Sequence, residues 1–268
     1  MDERKLIAEK WYKRFNYPAE MDEHFYRALE EADIPAGLTA ENAETLLGLG
    51  TQGTVWALYF LEETEKEYKR RGLEYRFEDD VKRISERIAR KFKNTGSIDI
   101  GDLTWDRHFF MAREFRLGRL VFCLGQAVVD MPTKDIKKGD NVVIIHVPGG
   151  EPLLYDACVE SLENAKVFIK KHFPDFKYRY FSGVSWLLDT SIADLLGENS
   201  NVLKFGTLFE PVITRESDNI IKFVFGGGAT RKDLPNIEPK NRFQRELKEA
   251  ALAGRVFYDV RGVIDSWK

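Results

Sequence analysis

Three side chains and one loop of this sequence could do chemistry. His146 closes an apolar run, Asn141 to Val147, and stands against Val147-Pro148-Gly149-Gly150. An imidazole changes charge near neutral pH, so a histidine at the end of a buried strand can act as a general base; a satisfied structural histidine is the competing reading. Glycines between a strand and a helix let backbone N–H groups approach a phosphate, which the helix N-terminus then favours. Ser185 and Tyr180 add hydroxyls from the segment Lys177 to Leu187. A triad of Ser185, His146 and Asp189 can be composed, but Gly183-Val184-Ser185-Trp186-Leu187 lacks the second glycine of a nucleophile elbow. Ser185 then reads as a turn hydroxyl. His24, His108 and His172 fall on helices and need no special role.

Other motifs carry less. Gly48-Leu49-Gly50-Thr51-Gln52-Gly53 spells GxGxxG. A dinucleotide fold needs a strand before the first glycine, whereas Thr39 reads as the N-cap of a helix with Glu41 and Glu44 in its early turns, running to Leu47. Gly226-Gly227-Gly228-Ala229-Thr230-Arg231-Lys232 lacks Walker spacing and reads as a loop over the sheet edge. Lys177-Tyr178-Arg179-Tyr180-Phe181 alternates as a strand with one exposed face does. Cys123 and Cys158 sit in apolar patterns without metal-ligand spacing and read as reduced, buried thiols.

These residues need elements to position them. Stripes at Leu6, Ile7, Trp11 and Phe15, at Met21, Phe25 and Leu29, and at Phe77, Val81, Ile84, Ile88 and Phe92 predict helices, as does Val55 to Tyr68. Asn94-Thr95-Gly96-Ser97 ends the third stripe, and Thr104 reads as the cap of a helix from Trp105 to Phe115. Beyond Gly118 the pattern changes. Strands are expected at Arg119–Leu124, Gln126–Met131, Asn141–Val147, Lys177–Val184, Val202–Ile213 and Ile220–Phe225. Helices are expected from Tyr155 to Phe173, with Cys158, Leu162, Ala165, Ile169 and His172 inward, from Thr190 to Leu196, and from Arg242 to Ala253. The outline is α+β: a helical N-terminal domain over residues 1–115 and a mixed β-sheet domain flanked by helices over 116–268.

The totals agree with an ordinary globular chain of 268 residues, 43% hydrophobic and 32% charged. A net charge of −3 argues against general nucleic-acid binding. No apolar run is long enough to span a bilayer, and the charged start MDERKLIAEKWYKRF lacks the apolar core of a signal peptide. A cytoplasmic protein is the expectation, and a homodimer is compatible with it.

Three C-terminal motifs together carry a resemblance. They are His146-Val147-Pro148-x-Gly150-x-Pro152-Leu153, Tyr178-Arg179-x-Phe181-x-x-x-Ser185-Trp186-Leu187-Leu188-Asp189, and Ser200-Asn201-Val202-Leu203-Lys204-Phe205. The set resembles a bacterial family of acyltransferase domain-containing proteins, in which a helical N-acyltransferase N-terminal domain precedes a GNAT-like C-terminal domain. Phe115-Arg116-Leu117-Gly118-Arg119-Leu120-x-Phe122 is similar to that family's entry into its sheet, and Gly72-Leu73-Glu74 to a segment of its helical domain.

The resemblance implies acyl-CoA or acetyl-CoA lying between two splayed parallel strands, here Val142–Val147 and Lys177–Val184, with no metal. It implies that Val147, Gly149, Gly150 and Trp186 line the cofactor. Acyl transfer to an amine or other small-molecule acceptor would use His146 as base and Ser185 or Tyr180 as proton donor to the thiolate. The alternative is a non-catalytic binding protein on the same scaffold. Two departures stand out: Val147 to Pro152 does not match Q/R-x-x-G-x-G/A, with Glu151 adding a negative charge, and Gly183-Val184-Ser185-Trp186 replaces the family's frequent Cys-His-Ser-Trp.

Overall fold

The computed structural model of the protein describes residues 2–43, 45–104, 106–197 and 199–267. The chain divides into two compact units, Met1–Phe115 and Arg116–Lys268.

The first unit is helical: α1 Glu3–Phe15, α2 Asp22–Glu31, α3 Thr51–Arg70, α4 Glu74–Thr95 and the single turn α5 Arg107–Phe110. Asp2 starts α1 by accepting from the Arg4 N–H at 2.9 Å. Most of the expected stripe residues point inward, with Trp11, Phe25, Phe77, Val81, Ile84 and Ile88 all buried, but Leu6 is exposed. Aromatic packing joins the helices, with Tyr12 stacked on Phe25 at 3.8 Å and Trp11 edge-on to Phe77 at 5.7 Å. Gly96 ends α4 in the left-handed conformation, φ +67°, as the turn residues there require.

Two helical expectations fail here. Residues 41–43 and 45–47 form turns: the Thr39 hydroxyl accepts from Asn42 N–H and the Asn42 side chain accepts from Thr39 N–H, which closes one turn. Gly48 and Gly50, at φ +73° and +57°, then redirect the chain into α3. No strand precedes them among the described residues, so the GxGxxG spelling opens a helix without the βα turn a dinucleotide needs. The helix expected from Trp105 to Phe115 shrinks to α5, and its last residues enter a strand instead. Glu44 and Trp105 lie outside the described residues.

The second unit is built on a six-stranded sheet in the order β1-β2-β3-β4-β6-β5. Its strands are β1 Glu114–Leu117, β2 Leu120–Gln126, β3 Asn141–His146, β4 Tyr180–Ser185, β5 Glu210–Glu216 and β6 Tyr258–Asp265. The helices are α6 Tyr155–His172, α7 Ala193–Leu196, α8 Asn201–Gly206, α9 Asn219–Phe225 and α10 Arg242–Leu252. β3 and β4 run parallel, while β2–β3, β4–β6 and β5–β6 are antiparallel.

Four expectations are corrected here. Gln126–Met131 leaves the sheet after Gln126 and folds as turns closed by a Met131–Ile136 bridge. Val202–Phe205 is helical in α8, because the Ser200 hydroxyl caps the Val202 N–H at 3.2 Å; only Glu210 onward is strand. Ile220–Phe225 belongs to α9, which begins at Asn219 just after a turn in which the Ser217 hydroxyl accepts from Asn219 N–H at 3.2 Å. The closing strand is β6, between β4 and β5, which the sequence pattern did not single out.

The two faces of the sheet are packed differently. Gly183 of β4 and Gly262 of β6 are register partners, and the Phe209 side chain lies over both. A Cβ on Gly262 would stand 2.8 Å from the Phe209 Cβ, so this face needs two residues without side chains to seat the ring. On the other face Val142, Tyr180 and Val263 pack under Ala127, Met131 and Ile136 from the turn segment.

Candidate functional site

The site begins where β3 and β4 part. Their parallel ladder pairs Val143 with Phe181 and Ile144 with Ser182, while β3 continues to His146 and β4 to Ser185. Backbone groups beyond the last pair therefore face a gap between neighbouring parallel strands at their carboxyl ends, where open sheets take ligands. The last residue of the ladder on β4 carries a buried hydroxyl, Ser182 Oγ, with no hydrogen-bond partner among the described residues.

The glycine loop after β3 is wrapped around a buried arginine. Arg119, at the start of β2 and only 7% exposed, donates Nη1 to Pro148 O, Nη2 to Glu151 O and Nε to Pro152 O, at 2.8, 2.8 and 2.9 Å. The planar fork of a guanidinium can satisfy three convergent carbonyls in this way; an ammonium lacks the shape. Every peptide bond among the described residues is trans, so C=O and N–H of one peptide point in opposite directions. Drawing the Pro148 and Pro152 carbonyls inward turns the N–H groups of Gly149 and Leu153 away from the cation. Gly149 and Gly150 have open space around them, and Gly150 takes φ +92°, which a side chain would oppose.

The negative charge of Glu151 does not stand alone. Arg116 Nη2 meets its Oε1 at 2.8 Å, so an anion above the loop meets a neutralised pair where bare repulsion was expected. The β1–β2 turn between the two arginines is itself fixed: Arg119 N–H donates to Ser161 Oγ at 2.8 Å, and Ser161 donates to Ala157 O at 2.7 Å. Gly118, at φ +73°, fits here because a Cβ would lie 2.7 Å from the Ser161 hydroxyl.

α6 follows the loop with no side-chain cap on its first turn, and Leu154 and Tyr155 are exposed there. Its leading N–H groups and positive dipole end are thus presented at the loop, although Asp156 adds a negative charge in that turn. Cys158, one turn in, is fully buried; burial pushes its thiol up while the Arg119 cation opposes that.

The sequence-predicted site residues divide between places. Phe181, Gly183 and Ser185 share a face with Val143 through the β3–β4 register, and the pleat then puts His146 on the opposite face from Ser185. Ser185 Oγ accepts from Leu187 N–H at 3.1 Å and caps the turn Trp186–Leu188. Asp189 is buried and its two oxygens accept from Ser191 N–H at 2.9 Å and Tyr258 N–H at 3.1 Å. No Ser-His-Asp triad is formed from these three.

Tyr180 is not brought to the others. It begins β4, at the far end from Ser185, and is 9% exposed among Val142 and Val263. Trp186 is partly buried against the cluster that holds Ile192, Ile220, Leu234 and Leu247 and stacks with Phe243 at 6.4 Å, at the border of the core. Val147, Gly149 and Gly150 do lie on the loop beside the gap. Arg116, Arg119 and Ser182 were missed. Arginines on both sides of a glycine, Arg116-Leu117-Gly118-Arg119, are the only trace of the first two in the sequence.

A sheet with a parallel pair that parts before a glycine loop and an open helix N-terminus defines a GNAT-like architecture. The model of the family described as GNAT-like C-terminal domain matches residues 115–264, and the chain belongs to that family. Solved structures are similar. An acyltransferase in complex with CoA and 10C-teicoplanin is 24% identical, over 80% of this chain and 66% of that one, with a TM-score of 0.65. An acyltransferase mutant in complex with octanoyl-CoA is 25% identical, over 79% and 65%, with a TM-score of 0.64. An acyltransferase in complex with decanoyl-CoA and teicoplanin is 21% identical, over 96% and 87%, with a TM-score of 0.69. The chain spans just under two thirds of the length of the first two. These likenesses show the fold, and the last extends it to both units. No curated protein matches the sequence.

Proposed function

We propose that the second unit moves an acyl group from acyl-CoA to an amine or other small acceptor by direct attack on the thioester. The observation that carries this reading is the parting of β3 and β4 after Ile144–Ser182, directly before the Arg119-held loop and the uncapped start of α6. Crystal structures of similar fold hold CoA, octanoyl-CoA or decanoyl-CoA, which supports the choice of donor.

In this reading the donor's phosphates rest on the outward N–H groups of the loop and the first turn of α6, where the dipole favours them. Gly149 and Gly150 bring backbone close to the donor without side chains in its way, and Val147 lines the loop before them. A strand N–H left free at the gap polarises the thioester carbonyl. His146 takes the proton that the acceptor must lose, directly or through one water, because an ammonium has no lone pair to attack with. The new C–N bond forms as the C–S bond breaks. The gap opens to both faces, so Ser185, on the opposite face from His146, relays a proton to the departing thiolate and takes one back from solvent; its oxygen already accepts from Leu187 N–H, which leaves the O–H as donor.

The test is thiol release from octanoyl-CoA or acetyl-CoA with a panel of primary amines. Release that depends on amine and on His146 is expected. Donor cleavage at the same rate without amine would instead point to hydrolysis.

A further inference from the structure

The face of the sheet that His146 shares is half covered. The turn segment 127–136 packs over its lower end, on Val142, Tyr180 and Val263. At the edge of that cover the register places Val184, Arg261 and Ile213 side by side on β4, β6 and β5, with Ile213 packed against the covered cluster, and the pleat adds Arg215 and Asp259 one step on. Val184 is 48% exposed, so this part of the face is open. The unpartnered Ser182 hydroxyl lies on the same face, next to Val184 along β4.

Two arginines stand here without an acid. Arg261 is half-buried, yet among the described residues neither its guanidinium nor that of Arg215 has a hydrogen bond or an ion pair. The residues are diagonal neighbours, about 7–8 Å apart at their backbones. Burial, and then the charge of Arg215, push Arg261 below the ordinary arginine value. Asp259 is directly opposite Arg215, but its carboxylate is turned to Ser217 and Asn219. By contrast the buried Arg119 is fully satisfied by three carbonyls, and the partly buried Arg87, Arg231 and Arg255 each have an acid. A half-buried guanidinium beside a second cation, the exposed Arg215, is held at a cost unless an anion joins it.

Resting on the acyl-transfer reading, we infer that Arg261 and Arg215 hold an anionic group of the acyl acceptor, a carboxylate or phosphate, and place its amine at His146. Planar guanidinium forks suit either oxyanion. The donor's phosphates belong at the loop and α6, on the far side of β4 from these arginines. β3 and β6 are two strand spacings apart where the ladder holds, roughly 10 Å, and farther past Ile144–Ser182, where β3 and β4 part. The acceptor's amine and anion must therefore be separated by several bonds: an ω-amino acid or aminoalkyl phosphate fits, and an α-amino acid does not.

Saturation-transfer NMR on the full chain, with 6-aminohexanoate and hexylamine as probes and no donor present, tests this. A signal from 6-aminohexanoate and none from hexylamine is expected. Arg261→Gln should abolish it and Arg215→Gln, at an exposed position, should weaken binding about tenfold, with thermal midpoints retained; the second variant decides if the first does not fold. Equal signals from both probes, or 6-aminohexanoate binding untouched by these substitutions, overturn the site. So does an Arg215→Gln or Arg261→Gln protein that binds CoA more weakly but 3′-dephospho-CoA as before, because the pair would then hold the donor. CoA binding by the wild type is measured separately. Its absence would sink the acyl-transfer reading, while the two amine probes would still show whether the arginine pair binds an anion.

Discussion

Arg119 Nη1 donates to the carbonyl oxygen of Pro148 at 2.8 Å, across 29 residues of sequence. With its bonds to Glu151 and Pro152, this contact makes the glycine loop a rigid object before any ligand arrives. It also decides which way the loop's N–H groups face. A cation buried beneath the loop thus does two things: it satisfies carbonyls that would otherwise be stranded, and it adds positive potential under a prospective diphosphate.

Arg119→Met should destabilise the chain by about 2–4 kcal/mol, since a stranded buried carbonyl costs ~1–3 kcal/mol and some of the loop can turn to water. Arg119→Lys should lose roughly half as much, because a point charge reaches the three oxygens only in part. Urea denaturation at fixed pH measures both. Equal stability of wild type and Arg119→Met would show that the loop does not depend on this contact.

Gly262→Ala tests the seat of Phe209. The added methyl would stand 2.8 Å from the Phe209 Cβ and 3.2 Å from Leu188 Cδ1, so neighbours must shift, at about 1–3 kcal/mol. Thermal unfolding reads this, and a Gly262→Ala variant as stable as the wild type would contradict the seat described for Phe209. The same alanine at Gly37, which has no neighbour within 4 Å but φ +75°, should be costly through backbone strain alone.

The two thiols should be silent in the folded protein. Cys123 and Cys158 are both buried, and burial raises the Cys158 thiol above its ordinary value. At pH 8 a disulfide reagent should titrate neither thiol without denaturant and both with it. Because a raised thiol stays protonated further up the scale, native-state reactivity at Cys158 should rise only well above that pH. Rapid modification at neutral pH would contradict the packing described for α6.

His146→Ala should lower turnover by roughly 10²–10⁴-fold, the usual range for losing a general base, and leave donor binding unchanged. Ser185→Ala should act more weakly, because water can replace a hydroxyl donor and the turn it caps loses one bond. Steady-state rates with a fixed amine check both, and unchanged turnover in His146→Ala would remove the imidazole from the mechanism.

The strand, loop and helix from Asn141 to His172 were legible because each has a strong local signature: a continuous apolar run, turn residues, then a stripe at helical spacing. α8 and α9 were not. Val202–Phe205 and Ile220–Phe225 are short apolar runs that periodicity cannot assign; the Ser200 cap goes with helix in the first, and a serine turn at Ser217 leads into the second. β6 interleaves Asp259, Arg261 and Asp265 with its apolar residues, and its place between β4 and β5 comes from pairing partners far away in sequence. The site was legible only in position. His146 and the loop could be found from type and order, whereas Arg119, Ser182 and the opposite facing of His146 and Ser185 are products of register.

The central claim is that the gap between β3 and β4 receives acyl-CoA, and calorimetric titration of the full chain with CoA and octanoyl-CoA tests it most directly. Saturable binding of one ligand per chain is expected, accompanied by stabilisation of ~2.7 kcal/mol at a hundredfold excess over Kd, and weakened by Arg119→Met but retained in His146→Ala. No heat and no thermal shift with either ligand at millimolar concentration would contradict the account.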